Sequence, residues 1–158
     1  MCKKIIYLVA LTILLSFVLI QITSDLETGT VARFNDYTPY QSYLLGKEFT
    51  IQGAFPIVFL NAEIVDIDGK RIDKNETPFE WEVWIDNDSL AGAVKVNDKD
   101  LQMFDENIEG YKVEEKSFKM VQYVKRTTET SDKIDYYIKL SYRLLGIKHY
   151  KIVYFVTM

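Results

Sequence analysis

Residues 133–157 read KIDYYIKLSYRLLGIKHYKIVYFVT, and this stretch decides the fold class of the chain. From Ile134 onward, apolar side chains return at every second position, through Tyr136, Ile138, Leu140, Tyr142 and Leu144. Asp135, Tyr137, Lys139, Ser141 and Arg143 fill the positions between them. A period of two belongs to a strand with one buried face, and sustained over eleven residues it has no helical counterpart. Gly146 marks a turn, and Lys148–Thr157 returns as a second strand, for which Tyr150, Ile152, Tyr154 and Val156 are expected to face inward. The chain therefore ends in a β-hairpin.

Upstream, the same rhythm recurs. Tyr111–Arg126 reads as a long strand, bent near Glu115-Lys116. Phe79, Trp81, Val83 and Ile85 alternate with Glu80, Glu82 and Trp84, again a half-buried strand. Glu48–Ala54 and Ile57–Ile67 are rich in Phe, Ile and Val, with Pro56 between them, and Asp68-Gly69 is a turn signal. Ala93–Val96 reads as another short strand. Leu101, Phe104 and Ile108 recur at near-helical spacing, so residues 97–110 form a helix or an irregular loop between sheets. Seven or so short strands separated by turn signals have the size and rhythm of an immunoglobulin-like antiparallel β-sandwich, with a small open barrel as the alternative. The Cys…Trp…Cys hallmark of antibody domains is absent, so the resemblance is one of architecture.

Before the strands, Thr38 has the character of a helix cap, Pro39 suits the first helical position and Gly46 suits the residue after the end. These signals predict a short helix over 38–46, following a polar stalk. Farther upstream, IIYLVALTILLSFVLIQI (residues 5–22) carries no charge. As a helix it spans about 27 Å, close to the thickness of a bilayer's hydrocarbon core. Lys3 and Lys4 precede it and Asp25 and Glu27 follow, so the positive-inside tendency keeps the N-terminus in the cytoplasm. The run is longer than a signal-peptide core, and Gln21-Ile22-Thr23-Ser24 makes a poor cleavage site. A membrane anchor is thus favoured over a secreted protein with a cleaved signal, and over a buried core helix. The expected organisation is a cytoplasmic end (1–4), a transmembrane signal-anchor helix (5–22), a stalk with a short helix (23–47) and an extracytoplasmic β-sandwich (48–158).

Composition excludes several kinds of chemistry. The only cysteine is Cys2, so the exported part has neither disulfide nor thiolate metal site. His149 is the only histidine, which rules out a multi-histidine metal centre, and Lys148 and Lys151 beside it disfavour the imidazolium that a catalytic base must become. Asp66, Asp68 and Asp73 lack the spacing of a calcium loop, and a hairpin turn accounts for them. The seven glycines are scattered singly, without a phosphate-cradling loop. No cofactor is implied, no metal, and no catalytic set.

Charge is lopsided. Residues 25–115 hold 8 Lys/Arg against 20 Asp/Glu, a net of −12, whereas residues 116–158 hold 9 against 3, a net of +6. Acidic and basic strands lying side by side would neutralise one another. An acidic, exported domain is not built for nucleic acid. On the outward face of the terminal hairpin, Tyr137, Lys139, Arg143 and Lys151 are expected to make a basic, aromatic surface for another envelope protein or an anionic polymer. Trp84 with Glu80 and Glu82 makes the alternative, a carbohydrate-binding or carbohydrate-cleaving face, since carboxylates two apart on a strand lie about 7 Å from each other. The expected role is that of a non-catalytic binding or accessory module of the cell envelope, in contact with lipid through residues 5–22. A structural subunit of a membrane complex is the remaining class.

Overall fold

The computed structural model describes residues 2–23, 25–31, 38–53, 55–86, 93–97, 108–129 and 134–157. Helix α1 (Cys2–Thr23) is followed by strands β1 (Asp25–Val31), β2 (Ser42–Gln52), β3 (Ile57–Val65), β4 (Phe79–Asp86), β5 (Ala93–Val96), β6 (Lys112–Val113), β7 (Ser117–Arg126), β8 (Asp135–Leu144) and β9 (Ile147–Thr157). One antiparallel sheet has the order β1-β2-β7-β4, with β5 also paired to β2; the other has the order β6-β3-β8-β9. A single buried cluster joins them. Phe49 stacks on Phe118 at 5.5 Å in the first sheet, and Phe118 meets the edge of Phe59 in the second at 5.7 Å. Phe79 likewise meets Tyr136 edge-on at 4.8 Å, an aromatic geometry that adds to area burial.

Helix α1 is long and apolar enough to cross a membrane, and none of the 18 residues from Lys4 to Gln21 is in the buried core. That exposure contradicts a buried core helix. The described strands agree with the sequence at β3, β4, β5 and β8, and the Asp68-Gly69 turn is present. There, Asp66 Oδ1 accepts hydrogen bonds from the Asp68 and Lys70 amides.

Three expectations change. The stalk is not all stalk: β1 pairs with β2 from Asp25↔Gln52 to Val31↔Lys47, and Leu26 is in the core. The helix over 38–46 is not formed. Tyr40 takes a left-handed φ of 62°, and Ser42 begins β2, with Tyr43 and Leu45 in the main core and Leu44 in a second cluster with Val121 and Tyr123. A strand buried on both faces reads as a continuous apolar run rather than an alternation, so capping residues beside it mimic a helix. The long strand over 111–126 breaks at the expected bend into β6 and β7, which belong to different sheets. Of the segment 97–110, residues 98–107 lie outside the described residues.

Charge neutralisation across the first sheet is visible in its register. Lys119 of β7 lies opposite Glu48 of β2 and Asp86 of β4, and Lys125 lies opposite Glu80. In the second sheet Lys139 lies opposite Glu63. Lys47, buried in the first sheet, donates to the Tyr154 carbonyl of β9 and so ties the two sheets together at one edge.

Candidate functional site

The terminal hairpin turns at Leu145-Gly146, and Leu144 pairs with Ile147. Both turn residues have positive φ, 50° and 85°, as a two-residue type I′ turn requires. Residues opposite one another in an antiparallel ladder share a face. The inward series Leu144, Tyr142, Leu140 and Ile138 therefore carries Ile147, His149, Lys151 and Val153 with it. This reverses the expected phase of β9: Val153 and Phe155 enter the core, while Tyr150, Ile152 and Tyr154 share the outer face. A register shift between Tyr136 and Tyr137 then places Val156 opposite Tyr136 and in the core as well.

Of the four residues expected to make a contact surface, three come together. Tyr137, Lys139 and Arg143 occupy the outer face of β8. Tyr137 meets Tyr154 edge-on at 6.1 Å, and the Lys139 ammonium lies 4.9 Å from the ring centre of Tyr150. Tyr150 is 63% exposed. Lys151 is not on this face. It lies opposite Leu140 on the other side of the sheet, where its Nζ holds Asp25 Oδ2 at 2.7 Å. Tyr150 and Lys148 complete the outer face instead. The signal for them was the length of the turn: a two-residue loop forces residues 144 and 147 onto the same side, whatever the count of apolar residues in either phase.

His149 and Lys151 meet the end of α1 and the start of β1. His149 stacks on Tyr142 at 5.7 Å, and its Nε2 lies 2.6 Å from Gln21 Oε1. Gln21 Nε2 donates to the Leu144 carbonyl at 3.4 Å. Burial alone would raise the Asp25 carboxyl, but hydrogen bonds from Lys151 and the Leu26 amide, with the charges of Lys151 and His149, hold it below its ordinary value. Burial, reinforced by the negative charge of Asp25, pushes the Tyr142 hydroxyl up to about 12.

The alternative set lies on β4. Glu80 and Glu82 are exposed, whereas Trp84 is half-buried against Tyr123 at 6.0 Å, in the smaller cluster. Trp84 therefore packs against the sheet rather than standing free over it. Beside it, a cleft of about 350 Å³ opens at the β4 edge between Trp81, Glu82, Trp84, Asn61, Ile108 and Glu109. Trp81 Nε1 and Asn61 Oδ1 are buried there without a hydrogen-bond partner among the described residues. No group of three or more His, Cys, Asp or Glu is arranged to hold a metal ion among the described residues. No family model matches the chain, and no curated protein matches it in sequence.

Proposed function

We propose that the chain is a single-pass membrane protein whose C-terminal part is an extracytoplasmic, immunoglobulin-like β-sandwich, and that it serves as a non-catalytic binding or accessory module of the cell envelope. The order β1-β2-β7-β4 against β3-β8-β9 supports the immunoglobulin-like reading, since it corresponds to the ABED and CFG sheets of that fold once β5 and β6 are taken as additions. The observation that carries the binding reading is the outer face of β8 and β9. There an exposed tyrosine is backed by a cation and flanked by an edge-to-face tyrosine pair. Tyrosine and basic side chains anchor interfaces because they combine apolar area with directional polar contacts. The partner class is another envelope protein or an anionic polymer.

The test is a crosslinking pull-down of the full-length protein from its native membranes, run beside a Lys139→Glu/Tyr150→Ala variant. One reproducible partner, lost in the variant, is the expected result. Exposed cation–π contacts are worth about 0.5–1 kcal/mol, so the variant should remain folded. Retention of the partner by the variant would remove this face from the proposal.

The cleft beside β4 supports a second reading, recognition of a saccharide. Trp81 and Trp84 line it together with Glu82 and Asn61, side chains suited to stacking on a sugar ring and hydrogen-bonding its hydroxyls. Soluble glycan fragments should then shift the tryptophan fluorescence, and Trp81→Phe should abolish the shift. A flat titration would exclude it.

A further inference from the structure

We infer that the β8–β9 turn is a second membrane contact: Leu145 and Ile147 enter the interfacial layer of the bilayer that carries α1, with Arg143 and Lys148 at the level of the lipid phosphates. The inference goes beyond the binding role and rests on the reading of α1 as a membrane span.

Direction comes first. Gln21 contacts His149, and Asp25 contacts Lys151. The two contacts occur in the same order along both segments, so the chain leaving α1 runs alongside β9. Moving up β9 is therefore moving away from the membrane, and the turn before it points back toward the membrane. Gly146 lies three residues before His149, a distance of about 10 Å along a strand. Gln21 itself sits within the last turn of the apolar helix. The turn thus reaches at least to the edge of the apolar layer.

The chemistry of the turn fits that depth. Leu145 and Ile147 are 40% and 42% exposed, the first in the turn itself and the second at the start of β9. A type I′ turn favours Asn, Asp or Gly at its first position, because φ is positive there. Here that position holds leucine at φ 50°. An apolar side chain kept in an unfavourable backbone conformation at an exposed tip calls for a function at the tip. Arg143 and Lys148 lie directly opposite each other on the outer face, with Val58 as the other neighbour of Arg143. Like charges so placed repel, and neither has a carboxylate partner among the described residues. Phosphate groups at the membrane surface supply the missing counter-charge. The neighbouring β6–β7 link, Glu114-Glu115-Lys116, is by contrast polar and exposed and carries both signs.

The test uses the full chain with Cys2→Ser, reconstituted into phosphatidylcholine vesicles containing acyl-brominated lipid. An environment-sensitive fluorophore is attached at Leu145→Cys, at Ile147→Cys and, as a control, at Asp68→Cys in the turn at the opposite end of β3. The inference predicts bromolipid quenching several-fold stronger at 145 and 147 than at 68. In chains shown to be folded by near-ultraviolet circular dichroism, equal quenching at all three positions would overturn it while leaving the membrane span intact. Loss of the whole chain from the vesicles on an alkaline wash would overturn the span and this inference together.

Discussion

At the scale of single residues, the most informative position is Leu145. Holding a non-glycine residue in the left-handed region costs about 1–2 kcal/mol, and asparagine tolerates it better than leucine. Leu145→Asn should therefore raise the stability of the domain by about 1 kcal/mol in urea denaturation; a loss of stability would mean that the leucine packs rather than protrudes. Tyr142 makes a second residue-level prediction. Its hydroxyl titrates near 10.0 when unfolded and is pushed up to about 12 in the fold. A raised value stabilises the protonated native state, so this contribution is complete below pH 10 and is lost as pH rises toward 12. Tyr142→Phe should flatten the decline of Tm across that window. A decline as steep as that of the wild type would assign the alkaline sensitivity elsewhere, Tyr136 being the next candidate because burial raises it too. Asp25 works in the opposite direction. Its lowered value means that the native state favours the carboxylate, so the contribution is present above pH 3.8 and disappears as pH falls through the folded value. Asp25→Asn should be less stable than wild type near neutral pH and match it at about pH 2. A gap that persists in acid would point to packing rather than charge.

At the scale of elements, β1 carries the sharpest prediction. Read as sequence, Asp25–Val31 is polar and aperiodic, and a stalk was the natural expectation. In the fold it closes the edge of β2 and buries Leu26 to 1% exposure. Leu26→Ala should cost about 2–5 kcal/mol, as for other buried leucines, measured as a shift of the urea midpoint. A stalk residue would show no shift. The contrast marks what was legible and what was not. β4 and β8 were legible because each has one wet face, so burial writes itself as alternation. β2 was not, because both its faces are covered, and Thr38, Pro39 and Gly46 supplied helix-end chemistry around a run without period. β9 was legible as a strand but not in phase: both of its faces are rich in Tyr, Ile and Val, and only pairing with β8 across a two-residue turn assigns them. Lys151 was lost from the candidate surface for that reason, and Tyr150 was gained.

At the scale of the whole molecule, the acidic and basic segments of the chain are brought together in the sheets. Lys119 and Lys125 face Glu48, Asp86 and Glu80, and Lys139 faces Glu63, so part of the lopsided charge is neutralised within the sheets. In the terminal hairpin, Arg143 and Lys148 lie opposite each other with no carboxylate in register, at the end of the domain where α1 departs. An apolar helix leads into a two-sheet domain held close to it by Gln21–His149 and Asp25–Lys151, with an aromatic outer face turned away from the core. We propose that this domain stands outside the cell on a membrane anchor whose N-terminus is inside. Labelling intact cells with a membrane-impermeant maleimide tests this directly. Asp68→Cys in a Cys2→Ser background should label without permeabilisation, while the native Cys2 should label only after it. Labelling of Cys2 in intact cells, with position 68 protected, would invert the topology and contradict the account.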